Sequence, residues 1–345
     1  MTGEPESGTI AVSIPPRAPK MAPKLLLTTL LTVAMTAAPV PSTAQAPAWP
    51  AKPIHVVVPF VAGGYVDTYA RLVATRLAPV LGQPVYVENR PGSSGHVGSE
   101  YVAKSAPDGY TLLVTAINTH AVNVSLYKEM PFHPVRDFTP LALVADGVSA
   151  WVVPASLNVG SIDELVALAR SQPDVLNYGS AGVGTLGNLM VEWVKSRTGV
   201  RIGHIPYKGE SEALLAALRG DVALSQASVA SVLPHVKSGK VRVIATTGAT
   251  RAAPMPDVPT ISETLPGVSG SAWIGMFGPA NLPESIATRI NREVARIMAS
   301  PEMQERLSAN ALASPPMTAE QFGAFQRAEI AKWAEVIRTN GIRVD

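Results

Sequence analysis

Three glycine-rich segments carry the chemistry this chain offers: Pro59-Phe60-Val61-Ala62-Gly63-Gly64-Tyr65-Val66-Asp67, Asn89-Arg90-Pro91-Gly92-Ser93-Ser94-Gly95-His96-Val97-Gly98, and Tyr178-Gly179-Ser180-Ala181-Gly182-Val183-Gly184-Thr185. Each follows a β-branched run and precedes a helical pattern, so each sets backbone N–H groups at the positive end of a helix. Such an end holds an anion without a matching cation. Apart from Arg90, the three segments contain no Arg or Lys. The chemistry is that of holding a small anion rather than transforming one.

Other readings of the same residues are weaker. Gly182-Val183-Gly184-Thr185-Leu186-Gly187 matches the dinucleotide fingerprint G-x-G-x-x-G, but the next strand ends in His204-Ile205-Pro206-Tyr207-Lys208 rather than in the acid that would hold a ribose. A tight turn with no ligand is the plain alternative for these glycines. Asp67, in the first turn after Gly63-Gly64, either complements the helix dipole and caps free N–H groups or receives a ligand amine or water. Tyr65 either covers part of a ligand or is a surface tyrosine. The histidines, His55, His96, His120, His133, His204 and His235, lack metal-site spacing and read as ordinary loop or strand residues. Neither G-x-S-x-G nor G-x-x-x-x-G-K-[ST] occurs, so no catalytic residue, metal or cofactor is expected.

The elements that must position these loops alternate. Ile54 to Pro59 reads as a strand, Val66 to Leu81 as a helix stopped by Gly82, Val85 to Glu88 as a strand, Val97 to Ser105 as a helix and Thr111 to Thr115 as a strand. A second series opens at Ala150–Pro154. It continues with a helix behind a Ser161/Glu164 capping box, strand Leu176–Gly179, helix Leu186–Arg197, strand Gly203–Pro206, helix Ser211–Leu218, and strands Val222–Ser225 and Val241–Thr246. This alternation predicts parallel sheets covered on both faces. Two series make two α/β lobes, with a cleft where strand ends and helix N-termini meet. After Pro283 the pattern turns helical, with one stripe at Ile286, Ile290, Val294 and Ile297. A second follows the Thr318/Gln321 cap at Phe322, Phe325, Ile330, Trp333 and Ile337, and both are expected to pack on the first lobe.

The N-terminus reads as a cleavable export signal covering residues 1–48, with Met1 or Met21 as the start. Lys20 and Lys24 precede the apolar run Leu25 to Ala38, which is shorter than the ~20 residues that span a bilayer, and small residues then offer cleavage after Ala44 or Ala48. Removal leaves about 300 residues, enough for two lobes. The absence of cysteine excludes a lipoprotein anchor and a disulfide framework. With 28 Lys and Arg against 26 Asp and Glu, the 345-residue chain lacks the clustered basic charge of a nucleic-acid binder.

From Trp49 onward the sequence resembles the TctC/Bug family, the extracytoplasmic solute receptors of tripartite tricarboxylate transporters. The resemblance rests on Trp49-Pro50-Ala51-Lys52-Pro53-Ile54, the three glycine segments, Pro107-Asp108-Gly109-Tyr110-Thr111-Leu112, Pro206-Tyr207-Lys208-Gly209, Pro256-Asp257-Val258-Pro259-Thr260 and Trp273-Ile274-Gly275-Met276-Phe277-Gly278-Pro279-Ala280. It implies a type II periplasmic binding fold of two α/β lobes, 49–150 plus 274–345 and 151–273, joined by a two-strand hinge near Trp151 and Trp273. A ligand cleft lies between the lobes. It also implies a monomeric periplasmic protein that captures a small carboxylate by lobe closure and hands it to membrane transporter subunits. First-lobe contacts carry over to Ala62, Gly63, Gly64, Tyr65, Ser93, Ser94, Gly95, Asn118 and Thr119, with Asp67 beside them. Second-lobe contacts carry over to Ser180, Gly182, Gly184, Thr185, Tyr207 and Lys208. The chain departs from the family pattern at Ala62, at Tyr65 and at Leu224-Ser225-Gln226-Ala227, all in the cleft, so ligand identity is not inherited. A ligand sensor docking on a signalling ectodomain, or an exported enzyme, are the alternative functions.

Overall fold

Residues 11–16 and 49–344 are described by the structure, a computed structural model; the segment read as an export signal lies outside the described residues. Alternation of buried runs with amphipathic ones builds the first series: β1 (Ile54–Val58), α1 (Tyr65–Leu81), β2 (Val85–Asn89), α2 (His96–Ala103), β3 (Thr111–Ala116), α3 (Asn123–Leu126) and β4 (Phe138–Gly147). In α1 the buried face is Val66, Tyr69, Ala70, Val73 and Leu77, the three-to-four spacing of a helix lying on a sheet. Gly82 ends it at φ 71°, a left-handed angle that costs glycine least, with its N–H on the Ala78 carbonyl.

The second series comprises β5 (Ser149–Pro154), α4 (Ile162–Ser171), β6 (Asn177–Ser180), α5 (Leu186–Thr198), β7 (Gly203–Pro206), α6 (Glu210–Arg219), β8 (Leu224–Ser228), α7 (Val229–Lys237), β9 (Val241–Thr246) and α8 (Ile261–Thr264). The chain then adds β10 (Ile274–Pro279), α9 (Glu284–Met298), α10 (Pro301–Ala309), β11 (Leu312–Ala313) and α11 (Ala319–Thr339). Two sheets result, a six-stranded one in the order β11-β4-β10-β3-β1-β2 and a five-stranded one in the order β7-β6-β8-β5-β9.

The expected all-parallel pairing holds for β1, β2 and β3 and for β6, β7 and β8. Both sheets are nevertheless mixed: β10 runs antiparallel to β3 and β4, and β5 antiparallel to β8 and β9. The reason is the two crossings. β5 and β10 each enter their sheet from the end where the parallel strands finish, so they must run against them. The crossings, Val148 and Thr247–Trp273, lie side by side: the Ala272 N–H donates to the Gly147 carbonyl at 2.7 Å and the Thr247 N–H to the Ser149 carbonyl at 2.9 Å. Trp151 and Trp273 flank them, both fully buried.

Three local readings are corrected. The strand read at Val222–Ser225 is paired at Leu224–Ser228, because the Asp221 N–H still closes α6 on the Ala216 carbonyl and ladder pairing starts only at Leu224 opposite Tyr178. At Ser161 half of the capping box forms: its side chain accepts the Glu164 N–H, while the Glu164 carboxylate takes the Gly160 N–H instead. The Thr318/Gln321 box is complete. Finally, α11 does not belong to the first sheet alone. Phe322 and Gln326 sit under that sheet, but Trp333 meets Trp193 of α5 edge-on at 6.0 Å, so one apolar core runs through both layers.

Candidate binding site

The loop after β1 turns through Gly63, at φ 79°, into α1, with Gly64 as its N-cap. The fate of the α1 N-terminus is decided by Asp67, which is buried. Its Oδ2 accepts the Gly63 N–H at 2.8 Å and the Arg71 Nε–H at 2.9 Å, and its Oδ1 accepts from Asn89 Nδ2 at 2.9 Å. Burial pushes this carboxyl upward, but the hydrogen bonds from Arg71, Gly63 and Asn89 outweigh it and hold the group below its ordinary range. Of the two readings of Asp67 the geometry describes the cap. The Gly64 and Tyr65 N–H groups take no protein acceptor among the described residues, which leaves the positive end of α1 with open donors. Ala62 is exposed beside them.

Tyr65 is the first residue of α1 rather than a loop residue. Its ring packs edge-on against Tyr69 at 5.3 Å, and its hydroxyl donates to the Ala272 carbonyl at 3.3 Å, at the second crossing. Burial of the hydroxyl end, with the charges of Asp146 and Glu210 nearby, raises its pKa. The residue as a whole stays 40 % exposed and lines the cavity between the sheets while its hydroxyl is anchored at the second crossing.

Between β2 and α2, Gly92, Ser93, Ser94 and Gly95 all have positive φ, at 140°, 45°, 53° and 89°. For the two serines this conformation is strained, a cost of about 1–3 kcal/mol each that clusters at ligand sites. Gly95 is required here, since a Cβ would lie 2.4 Å from the Thr119 methyl group. Ser93 is exposed, and Ser94 Oγ meets the Tyr127 hydroxyl at 2.7 Å. Behind this loop the π-helical turn Asn118–Val122 separates its residues: Asn118 remains partly exposed, whereas Thr119 is fully buried with its hydroxyl on Thr115, Ala116 and His120. Thr119 thus supports Gly95 from beneath. His120, caged by Phe132, Phe138 and Phe277, is held neutral by burial, its pKa lowered to about 3.

On the second sheet, Ser180 ends β6 and the loop Gly182–Thr185 leads into α5. Gly182 and Gly184 are left-handed, at φ 116° and 76°. The Gly182 N–H donates to Ser180 Oγ at 3.1 Å and the Gly184 N–H to Asn188 Oδ1 at 2.9 Å, while the Thr185 hydroxyl donates to the Gly182 carbonyl at 2.7 Å. Gly63, Gly182 and Gly184 thus donate their N–H groups to nearby side chains, Asp67, Ser180 and Asn188. The rings beside the loop are a group sequence reasoning passed over: His204 stacks on Tyr178 at 4.7 Å and its Nε2 reaches Ser180 Oγ at 2.7 Å. Tyr207 covers Gly179, and Lys208 is exposed, with its backbone N–H on Glu212.

The two sets of loops meet. Asn118 Nδ2 donates to the Gly184 carbonyl at 3.2 Å, from one sheet to the other, and a Cβ on Gly184 would lie 2.2 Å from Leu126 of α3. Nearer the crossings a cavity of about 220 Å³ opens between the sheets, lined by Tyr65, Tyr69, Gly147, Glu210, Ser228 and Ala272 among others. Of the residues expected to bind ligand, Tyr65 lines it. A second cavity, about 470 Å³, lies away from the glycine loops between the loop after β9 and α11; it includes Asp146, whose carboxyl burial pushes up, and Glu329 with Lys332.

Two sheets, paired crossings and facing glycine loops define a two-lobed receptor architecture, and comparison with known proteins makes it specific. Residues 69–342 match the model of the TctC family, described as the tripartite tricarboxylate transporter family receptor. The chain belongs to this family. BugT of Bordetella pertussis is 33 % identical over 307 residues, which are 88 % of this chain and 94 % of that protein. Rpa4515 of R. palustris, solved with adipate, is 34 % identical with a TM-score of 0.76, covering 86 % of this chain and all of the other. MatC of Rhodopseudomonas palustris, solved with bound malate, is 31 % identical with a TM-score of 0.72, covering 84 % of this chain and 99 % of the other. The TctC family is one of solute receptors, and the fold of this chain is that of its periplasmic binding proteins. Among the described residues no helix is long and apolar enough to cross a membrane.

Proposed function

We propose that this protein is a periplasmic receptor that captures a small carboxylate between two lobes, 49–150 plus 274–345 and 151–273, and delivers it to the membrane subunits of a tripartite transporter. The observation that carries this reading is the meeting of glycine-rich helix starts from both sheets, Gly63-Gly64-Tyr65 on one side and Gly182-Val183-Gly184-Thr185 on the other. Asn118 reaches across to Gly184, and Lys208 is the one cationic side chain within these two loops and the Pro206–Gly209 segment. The open N–H groups of Gly64 and Tyr65 at the α1 terminus and the hydroxyls of Ser93, Ser94 and Ser180 then supply the donors that a carboxylate needs, with Thr185 beside them. Ala62, Gly95, Tyr207 and Lys208 shape the rim, while Asp67 and Thr119 hold the loops from behind. Adipate and malate, the ligands of two solved relatives, set the size class. Export through the N-terminal signal puts the receptor in the periplasm as a monomer.

The protein performs no covalent chemistry in this account. Its output is closure, which requires that ligand bind the shut form better than the open one. The reading is tested by thermal-shift and calorimetric titration with succinate, malate, adipate, citrate and benzoate. At least one should raise the melting temperature and bind in the micromolar range or tighter, roughly −8 kcal/mol. No binding by any of the five at millimolar concentration would count against the carboxylate assignment.

A further inference from the structure

We propose that His204 is the positioning residue that aims the Ser180 hydroxyl at a bound carboxylate, and that it makes capture of that anion tighter as pH falls. The inference rests on the binding reading above and adds a regulating residue to it. It follows from counting the hydrogen-bonding capacity of one hydroxyl. Ser180 Oγ has one proton and two lone pairs. One lone pair is taken by the Gly182 N–H at 3.1 Å. In the unliganded protein the proton has two possible acceptors, the Gly182 carbonyl at 3.1 Å and His204 Nε2 at 2.7 Å. When a carboxylate draws the proton to itself, the second lone pair turns to His204, and the arrangement is complete only if Nε2 carries hydrogen. His204 Nε2–H then donates to Ser180 Oγ, and Ser180 Oγ–H donates to the ligand.

The ring is held for that task. It stacks on Tyr178 at 4.7 Å with 19° between planes, and the Tyr178 hydroxyl donates to Glu192 at 2.6 Å and accepts from Asn188 Nδ2 at 2.7 Å. Asn188 in turn holds the Gly184 N–H at 2.9 Å. One stack therefore fixes both ends of the Gly182–Thr185 loop, through Ser180 at one end and Asn188 at the other.

The charged groups that face the ring lie on α5: Glu192 and Lys195, which pair with each other at 2.8 Å and oppose each other's effect on it. Burial, the larger influence, keeps the imidazole neutral below its ordinary value. A carboxylate placed one hydroxyl away favours the imidazolium. Anion binding and proton uptake then reinforce each other, so affinity for the fully ionised ligand, reckoned from the ligand's own ionisation at each pH, rises as pH falls.

The test combines calorimetry with ring-nitrogen NMR on wild type, His204→Gln and His204→Phe, using succinate, malate, adipate and citrate from pH 8 to 5.5. Wild type should bind about threefold to fivefold more tightly at pH 5.5 than at 7.5, a His204 pKa rise of about one unit on binding. Its ring should carry hydrogen on Nε2. His204→Gln, whose amide can still donate to Ser180, should keep pH 7.5 affinity within about threefold and lose the pH slope; His204→Phe, which keeps the stack and removes the donor, should lose about tenfold at every pH. A wild-type pH slope in His204→Gln, or a ring with hydrogen on Nδ1 whose pKa no added acid moves, would overturn the proposal. If wild type captured none of the four acids the receptor reading would fall with it, whereas normal capture with an unaltered His204→Gln profile would remove the His204 role alone.

Discussion

Asp67 shows how a single carboxylate ties the loop after β1 to the start of α1. It is buried and carries hydrogen bonds from Gly63, Arg71 and Asn89, so its work is to fix the angle at which α1 leaves the loop. Asp67→Ala should cost about 1–3 kcal/mol of stability, through a lost cap and an unpartnered Gly63 N–H. The pH signature has a definite sign. Because the folded pKa is depressed, the stabilisation is fully present above the unfolded value of about 4 and is lost as pH falls through the folded one. Denaturant melts at pH 7 and pH 3 should therefore show wild type losing more of its advantage over Asp67→Ala in acid; equal differences at the two pH values would assign Asp67 no capping role. The sequence placed Asp67 correctly in the first turn and left its role open, since nothing in one dimension shows that Asn89 and Arg71 converge on it. His204 was not legible for the same reason. A histidine in a strand looks ordinary until its neighbour strand brings Ser180 within 2.7 Å.

Elements were more legible than contacts. β1, α1, α5, β7 and β9 fall where alternation and helical spacing put them, because their burial pattern is local to the chain. Strand direction was not, since the antiparallel entry of β5 and β10 depends on the two crossings, which no periodicity records. The reach of α11 into the second sheet escaped for a related reason: its stripe at Phe322, Trp333 and Ile337 states that one face is buried, not against what. The glycines divide in a way that sequence alone does not reveal. Gly64 has ordinary φ, −76°, and a Cβ there would make a normal 3.5 Å contact with the Val61 carbonyl. At Gly184 a Cβ is strained by φ 76° and would strike Leu126 across the cleft at 2.2 Å. Gly64→Ala should thus leave carboxylate affinity within about threefold, while Gly184→Ala should weaken it by tenfold or more by propping the sheets apart. Paired calorimetric titrations decide this; equal effects at the two positions would remove the claim that the loops must approach closely.

For the whole molecule, the two sheets are joined by two adjacent crossings and one bridging helix, α11. In the proposed closure the two crossings act as the pivot, and the apolar core that runs through both layers, with Trp333 of α11 against Trp193 of α5, limits how far the sheets rotate. In the proposed function, donors from both sheets would reach the ligand together only in the shut form, which supplies the differential affinity that a population shift requires. The two-lobe plan was legible because two α/β series in succession leave few other architectures, and the family resemblance pointed the same way; the shared core under α11 was not. The central claim is that ligand shuts this clamp, and the direct measurement is small-angle X-ray scattering of the purified protein with and without a saturating carboxylate whose binding calorimetry has verified. The account predicts a smaller radius of gyration and a shorter maximum dimension when the carboxylate is bound. Superimposable curves for the free and saturated protein would contradict it.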